Sequence, residues 1–296
     1  MRNPVPRVAA IHDLSGFGRA SLTVAIPVLS SMGIQVCPLP TAVLSTHTVE
    51  FTEYVLHDMT AQMEGILDHW ARLGLLFDAV YSGFMASPQQ MDSVARCIHE
   101  RLAPGGLAVV DPVLGDNGVL DPTMTPAMVE KMRELVTCAH VITPNITEVT
   151  LLLGEAWQPE VDETTLRGWL RRLAALGPDI VVATSVPLRE ADGARRPDST
   201  AVVAYEKREE RFWKTDCAYI PAHYPGTGDT FASVLTGSLL LGDTLCLALD
   251  RAVQFVELGI RSTFGHDLPT REGILLERVL DSLRLPSAAC RSVIMP

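Results

Sequence analysis

The chain has 296 residues, 47% of them hydrophobic and 20% charged, with a formal net charge of −11. That composition supplies a packed core and excludes a disordered chain, and dispersed acidity without a basic stripe excludes binding to a nucleic-acid backbone. No stretch is long enough for a membrane span and the apolar part of MRNPVPRVAAI is too short for a signal peptide, so a cytoplasmic protein without membrane or nucleic-acid partners is expected.

RVAAI reads as a buried strand, and Ser21 to Met32 as a helix closed by Gly33. IQVCPL is a second strand. Between Thr60 and Leu73, Met63, Ile66, Leu67, Trp70 and Leu73 recur at helical spacing, and Gly74 sits where a C-terminal cap belongs. DAVYSG follows as a strand. Ser87-Pro88-Gln89-Gln90 then supplies an N-cap, a first-turn proline and a capping-box glutamine for a helix with Met91, Val94, Ile98 and Leu102 inward. LAVVD is the next strand, and Thr125-Pro126 opens a helix with Met128, Met132 and Leu135 on its apolar face. HVIT, a helix around Glu148 to Leu153, a helix from Glu163 to Leu176 and DIVVATS continue the alternation. TAVVAYE and ERFWKTD break it as an antiparallel hairpin, and three largely helical segments begin near Asp229, Thr244 and Thr270.

Strands alternating with helices imply βαβ units and a mainly parallel sheet covered on both faces. No repeat or long linker divides the chain, so residues 1–296 read as one domain, with the polar loop Arg189 to Ser199 as a mobile segment, either a plain surface loop or a flap. The six cysteines (Cys37, Cys97, Cys138, Cys217, Cys246 and Cys290) are scattered without a C-x-x-C pair and read as reduced thiols.

Gly16-Phe17-Gly18, followed by Arg19-Ala20-Ser21, nearly matches a dinucleotide-binding G-x-G-x-x-G turn. Ser21 replaces the third glycine, and the second strand ends in Pro38-Leu39-Pro40-Thr41 with no carboxylate before Glu50 to hold a ribose. The nicotinamide reading fails on both counts. More informative are the polar residues after successive strands: His12-Asp13, Ser45 to Thr48, Ser82-Gly83-Phe84, Asp111, Thr143-Pro144-Asn145 and Thr184-Ser185. Ligands of open parallel sheets bind outside the carboxyl ends of the strands, so these groups should converge on one edge.

Two runs carry more specific chemistry. Pro225-Gly226-Thr227-Gly228-Asp229-Thr230 precedes an apolar helical run, where small residues and a helix N-terminus make an anion hole without a cation. Asp229, just inside it, is placed to take a proton from a hydroxyl, although it also suits a first helical turn structurally. In Thr143-Pro144-Asn145-Ile146-Thr147-Glu148, Asn145 and Glu148 share a helix face. They read either as a capping box or as a pair organising Mg²⁺ and a triphosphate, with Asp111 and Asp116 as further oxygen ligands.

The early Gly-rich turn AIHDLSGFGRAS, PLPTAVLSTHT, YSGF, DPVLGDNG, ITPNITE, VVATS and PGTGDTF, in this order, resemble the ribokinase-like superfamily. Within it the chain looks most like the pyridoxal/pyridoxamine kinases of vitamin B6 salvage. The resemblance implies a single-domain ribokinase-like α/β fold and ATP-dependent phosphorylation of a 5′-hydroxymethyl group on a pyridine ring. It makes Asp229 the base and gives Gly226, Thr227 and Gly228 the anion hole. Asn145 and Glu148 then organise Mg²⁺ and phosphates, Asp111 and Asp116 support the metal, and Thr143 and Thr184 line the ATP side. It further implies a monovalent cation such as K⁺ near Asp111, and a homodimer. Asp13, His47, Thr48 and Phe84 fall on the substrate side. Many pyridoxal kinases carry Ser where Asp13 stands and Tyr where Phe84 stands, and a carboxylate at position 13 is similar to the hydroxymethylpyrimidine kinases, the rival of the same fold. A non-catalytic vitamer-binding protein is the alternative of another class, disfavoured because a pure binder needs no base.

Overall fold

Strand β1 (Arg7–Ser15) carries RVAAI but runs on past it, so His12, Asp13 and Ser15 belong to the strand and do not follow it. The computed structural model describes residues 4–189, 199–218, 220–285 and 291–295. After β1 come α1 (Leu22–Ser31), β2 (Gln35–Leu44), β3 (Leu56–Asp58), α2 (Thr60–Arg72), β4 (Phe77–Ser82), α3 (Pro88–Arg101) and β5 (Leu102–Val110). A small ladder of β6 (Gly115–Asp116) and β7 (Val119–Leu120) precedes α4 (Pro126–Val136), β8 (Val141–Ile142), α5 (Ile146–Leu153), α6 (Glu163–Leu176) and β9 (Ile180–Val186). The chain continues through β10 (Ser199–Glu206), β11 (Arg211–Ala218), α7 (Thr227–Leu240), α8 (Leu245–Thr263) and β12 (Val293–Ile294).

The main sheet has the order β12-β11-β10-β9-β8-β5-β4-β1-β2-β3. The six strands from β9 to β2 pair in parallel, and β10, β11 and β12 on one edge and β3 on the other pair antiparallel. The expected mainly parallel sheet with an edge hairpin is therefore present, extended by β12 beyond the hairpin. Two apolar clusters cover its faces: residues of α2 to α6 pack on one and residues of α1, α7 and α8 on the other. Alternation within β1 follows this division, Ala9 and Ile11 joining the first cluster and Val8 and Ala10 the second.

Three local expectations change. The segment from Thr270 is not a helix but three 3₁₀ turns, Thr270–Glu272, Leu276–Arg278 and Leu280–Arg284. Gln90 does not close a capping box on Ser87. Ser87 Oγ accepts from the Gln90 amide as an N-cap should, but Gln90 Oε1 accepts from Ala86 N–H at 2.7 Å and its Nε2 donates to the Thr41 carbonyl at 2.7 Å. The glutamine thus ties α3 to β2 through full burial. Cys37, Cys97, Cys138 and Cys217 are free thiols as expected, but Cys246 is disulfide-bonded, and Cys290 lies outside the described residues. Residues 190–198 of the polar loop also lie outside them. Among the described residues no helix is long and apolar enough to cross a membrane.

Gln90→Leu leaves the half-buried Ala86 amide unpaired and strips the Thr41 carbonyl of one of its two bonds, the other coming from Met59 N–H, and is expected to lower the free energy of unfolding by about 1–3 kcal/mol. Urea denaturation checks this, and a loss below about 0.5 kcal/mol would refute the tie.

Candidate active site

Helix α7 begins at Gly226, whose φ of 79° lies in the left-handed region. A Cβ there would overlap the Arg19 carbonyl, so the glycine is required both by conformation and by the close approach of the Gly18-Arg19-Ala20 turn. No side chain caps the helix, so its first amides, from Thr227 onward, remain available to an anion. Thr227 Oγ1 donates to Tyr224 O at 3.0 Å and Thr230 Oγ1 to Gly226 O at 2.7 Å, fixing the loop from within. Gly228 is exposed, with open space around its Cα.

Asp229 follows on the same first turn. Its Oδ2 accepts from Ser21 N–H at 2.9 Å, while Oδ1 lies 4.0 Å from His12 Nδ1. Its side chain is 14% exposed, so it reaches the cleft from a mostly dry position. Burial pushes its pKa up to about 7, with Asp111 and Asp13 adding repulsion and the Ser21 amide opposing. The Tyr81 hydroxyl donates to the Asp229 carbonyl at 3.4 Å.

A second group gathers beyond β5 and β8. Asp111 Oδ1 accepts from Thr143 Oγ1 at 2.8 Å, and burial pushes Asp111 up to about 6. The capping box of α5 is fully formed: Asn145 Oδ1 accepts from the Glu148 amide at 3.0 Å and Glu148 Oε2 from the Asn145 amide at 2.8 Å. Asn145 Nδ2 donates to Gly115 O and Glu148 Oε1 accepts from Leu114 N–H, tying the loop after β5 to the helix. Glu148 is held well above the usual carboxylate range by burial, then by Asp111. Thr184 N–H donates to Pro144 O at 3.0 Å, which places Thr184 beside the same turn. Asp116 is exposed, and both its oxygens accept from Asn117.

The third group is Asp13 and His47. Asp13 Oδ2 accepts from Ser15 Oγ at 2.9 Å, and burial raises its pKa against Ser21, Ser15 and His47. The β1–β2 register shifts between His12 and Leu14, an irregularity centred on Asp13. His47 Nε2 donates to the Arg271 carbonyl at 2.6 Å, and burial lowers its pKa, so the neutral ring carries a lone pair on a buried, unpartnered Nδ1. Thr48 is half-buried beside it. Phe84 is buried in the α2–α6 cluster, and its carbonyl accepts from Thr41.

The structure therefore brings Asp13 and Asp111 close enough to raise Asp229, and Asp111 close enough to raise Glu148. No described group of three or more metal-type ligands is preassembled. The donor set still fits a hard divalent cation that keeps water and phosphate ligands: Asp111 and Glu148 are mutually repelling oxygen donors, but the amides of Leu114 and Asn145 already engage Glu148. Arg19 turns away from the site to Glu277, at 3.0 Å, as a surface residue would. Trp169 packs in the core, whereas Trp157 is exposed over Gly118.

Sequence reasoning missed three features. The Ser21 amide positions Asp229, His12 lies beside Asp229, and the Arg271-Glu272 backbone clamps His47 and Arg19. Ser21, in place of the third glycine of the turn, was the available signal for the first. Nothing in the spacing of residues 12 and 229 announces the second.

A model of the phosphomethylpyrimidine kinase family matches residues 26–271. A Bacteroides thetaiotaomicron protein assigned as a phosphomethylpyrimidine kinase, crystallised with pyridoxal in its orthorhombic form, is 49% identical, with 98% of this chain and 100% of that chain covered at a TM-score of 0.93. The pyridoxal kinase of Lactobacillus plantarum is 31% identical over 95% of this chain and 97% of that one, with a TM-score of 0.84. A hydroxymethylpyrimidine/phosphomethylpyrimidine kinase of Mycobacterium bovis is 28% identical over 88% of this chain and 92% of its own length.

Asp229 and Asp111 have folded-state pKa values above their ordinary one, so the native state binds the extra protons and loses stability as pH rises from about 4 through 7. Asp229→Asn is accordingly expected to stabilise the ligand-free protein at pH 8 by on the order of 2 kcal/mol, with no gain near pH 4. Thermal unfolding at both pH values checks this, and an equal effect at the two would refute it.

Proposed function

The chain belongs to the phosphomethylpyrimidine kinase family, as a pyridoxal-kinase-like member of the ribokinase-like superfamily, and from this we propose that it phosphorylates the 5′-hydroxymethyl group of a vitamin B6 vitamer with ATP. The carrying observation is Asp229: a desolvated carboxylate on an uncapped helical turn, open to the cleft and poised near neutrality. Residues 1–296 act as one kinase domain.

In this reading Asp229 takes the proton of the acceptor hydroxyl as its oxygen bonds to the γ-phosphorus, and the bond to the β-phosphate oxygen breaks to leave ADP. Backbone N–H groups at Gly226, Thr227 and Gly228 hold the charge spread over the transferring oxygens. Thr143, Asn145 and Thr184 line the nucleotide side, with Asp111, Glu148 and Asp116 as its acidic frame. A Mg²⁺ ion bound there supplies charge neutralisation for the phosphates. Asp13, His47, Thr48 and Phe84 belong to the ring side, where Asp13 bonds a ring nitrogen or an amine and His47 offers its Nδ1 lone pair.

The pyridoxal-containing Bacteroides relative supports a B6 ring. Asp13 admits a second reading, a hydroxymethylpyrimidine kinase, because a buried carboxyl bonds a pyrimidine nitrogen as well as a pyridine one. An ATP-consumption screen over pyridoxal, pyridoxine, pyridoxamine and hydroxymethylpyrimidine with Mg²⁺ separates them. Vitamer binding without ATP consumption would make the chain a carrier.

Asp229→Ala is expected to lower turnover about 10³-fold while vitamer affinity stays within about threefold; retained turnover would remove the base assignment. Asp13→Asn is expected to lower kcat/KM for pyridoxamine about tenfold relative to pyridoxal, and an unchanged preference order would refute that contact.

A further inference from the structure

His12 is a buried titratable side chain to which the proposed reaction gives no role. It is fully buried, and among the described residues neither ring nitrogen has a well-formed hydrogen bond, the Tyr81 backbone making only a weak contact. Buried polar atoms are nearly always paired, so an imidazole this poorly paired calls for an explanation. The site is built around the ring. The Tyr81 ring packs against it edge-on with centroids 4.3 Å apart, and Gly83 leaves the space it fills, since a Cβ there would overlap Nδ1. Nδ1 faces Asp229 Oδ1 at 4.0 Å, while Oδ2 is committed to the Ser21 amide.

The charge states make the pairing directional. Burial drives His12 down to about 3, against a partial opposing effect of the Tyr81 backbone, so the ring is neutral near pH 7. A neutral imidazole protonated on Nε2 offers its Nδ1 lone pair to Asp229. That lone pair repels an ionised carboxylate and accepts from a protonated one. The groups facing Asp229 are His12 and Asp13 from β1, Tyr81 from β4, Asp111 after β5 and the Ser21 amide before α1. Among them His12 Nδ1 is the neutral acceptor.

We propose that His12 is the positioning partner of Asp229, its Nδ1 accepting a hydrogen bond from the carboxyl once Asp229 has taken the acceptor proton. The inference rests on the kinase reading for its catalytic consequence. The acceptor O–H bond breaks, its oxygen bonds to phosphorus, and the β–γ bridging electrons leave with ADP. The proton stays on Asp229 Oδ1, held toward His12 and away from the new phosphate ester. The carboxylate is the reactant form and the carboxyl the product form, so the bond strengthens as the proton transfers.

The test compares His12→Leu, which removes the acceptor, with His12→Gln, whose amide carbonyl restores one. In ligand-free protein, the infrared band of the protonated carboxyl that disappears in Asp229→Asn is titrated in each. The wild-type midpoint lies near 7, His12→Leu is expected to move it about one pH unit lower, and His12→Gln to bring it back. With ATP and the preferred acceptor, His12→Leu is expected to lower kcat about tenfold with KM within about twofold, and His12→Gln to recover most of it. An unmoved or raised midpoint in His12→Leu, or equal kcat losses in both variants, overturns the proposal. The titration needs neither nucleotide nor acceptor. A wild type that phosphorylates nothing therefore removes the kinase reading alone, while the pairing is still decided.

Discussion

Four carboxylates, Asp13, Asp111, Glu148 and Asp229, are buried or nearly so at one end of a parallel sheet, and no Lys or Arg is among the groups that perturb them. Everything else about the site follows from this unbalanced charge. Each carboxylate is raised above its ordinary pKa by loss of water; Asp13 and Asp111 further raise Asp229, and Asp111 raises Glu148. What holds them is neutral: the amides of Ser21, Leu114 and Asn145, the hydroxyls of Ser15 and Thr143, and apolar clusters on both sheet faces. A cation bound among these carboxylates would offset their charge, and the uncapped start of α7 offers backbone amides in place of a cationic side chain, in a chain whose net charge is −11.

The uncapped start of α7 depends on elements distant in sequence. Gly226 is pressed against the Arg19 carbonyl, Arg19 N–H donates to Glu272 O, and its guanidinium meets Glu277. Arg271 in turn accepts from His47 and lies over the Phe51 ring at 4.8 Å. The 3₁₀ turns near the C-terminal end of the chain thus clamp both the anion-binding turn and the ring-side histidine. A continuous helix from Thr270 would satisfy its own backbone and leave Arg19 and His47 without those carbonyls.

The sheet, most helices and the edge hairpin were legible because they rest on periodicity and caps, which are local. Glu163–Leu176 matches its expected bounds, and the Asn145–Glu148 capping box forms as its spacing implies. Gln90 shows where local logic stops: residue type and position fit a capping box, but a buried carbonyl on β2 draws the amide across. The disulfide at Cys246 was equally illegible, since scattered cysteines say nothing about which come together. In the site, Asp229, Asp111 and Glu148 could be found because each follows a strand or opens a helix. His12 could not. Its chemistry depends on a contact spanning most of the chain, and on Gly83, whose missing side chain makes room for the ring.

On the proposed kinase reading, the same physics makes the ring-side residues discriminate less sharply than the phosphate side. Burial raises the Asp13 carboxyl above its ordinary range; in its protonated form it donates to a neutral ring nitrogen, and in its ionised form it accepts from a protonated one. His47 is fixed as an acceptor by the Arg271 carbonyl, and so selects a hydrogen-bond donor on the ring without selecting the ring. A flat nitrogen heterocycle with a hydroxymethyl arm satisfies both, whether pyridine or pyrimidine. On that reading one orientation is demanded by Asp229, held by its Ser21 tether and its position on α7, which fixes where the reacting hydroxyl must lie. Acceptor choice in this fold then rests on the substituents that bring that hydroxyl to Asp229, more than on the ring bearing it.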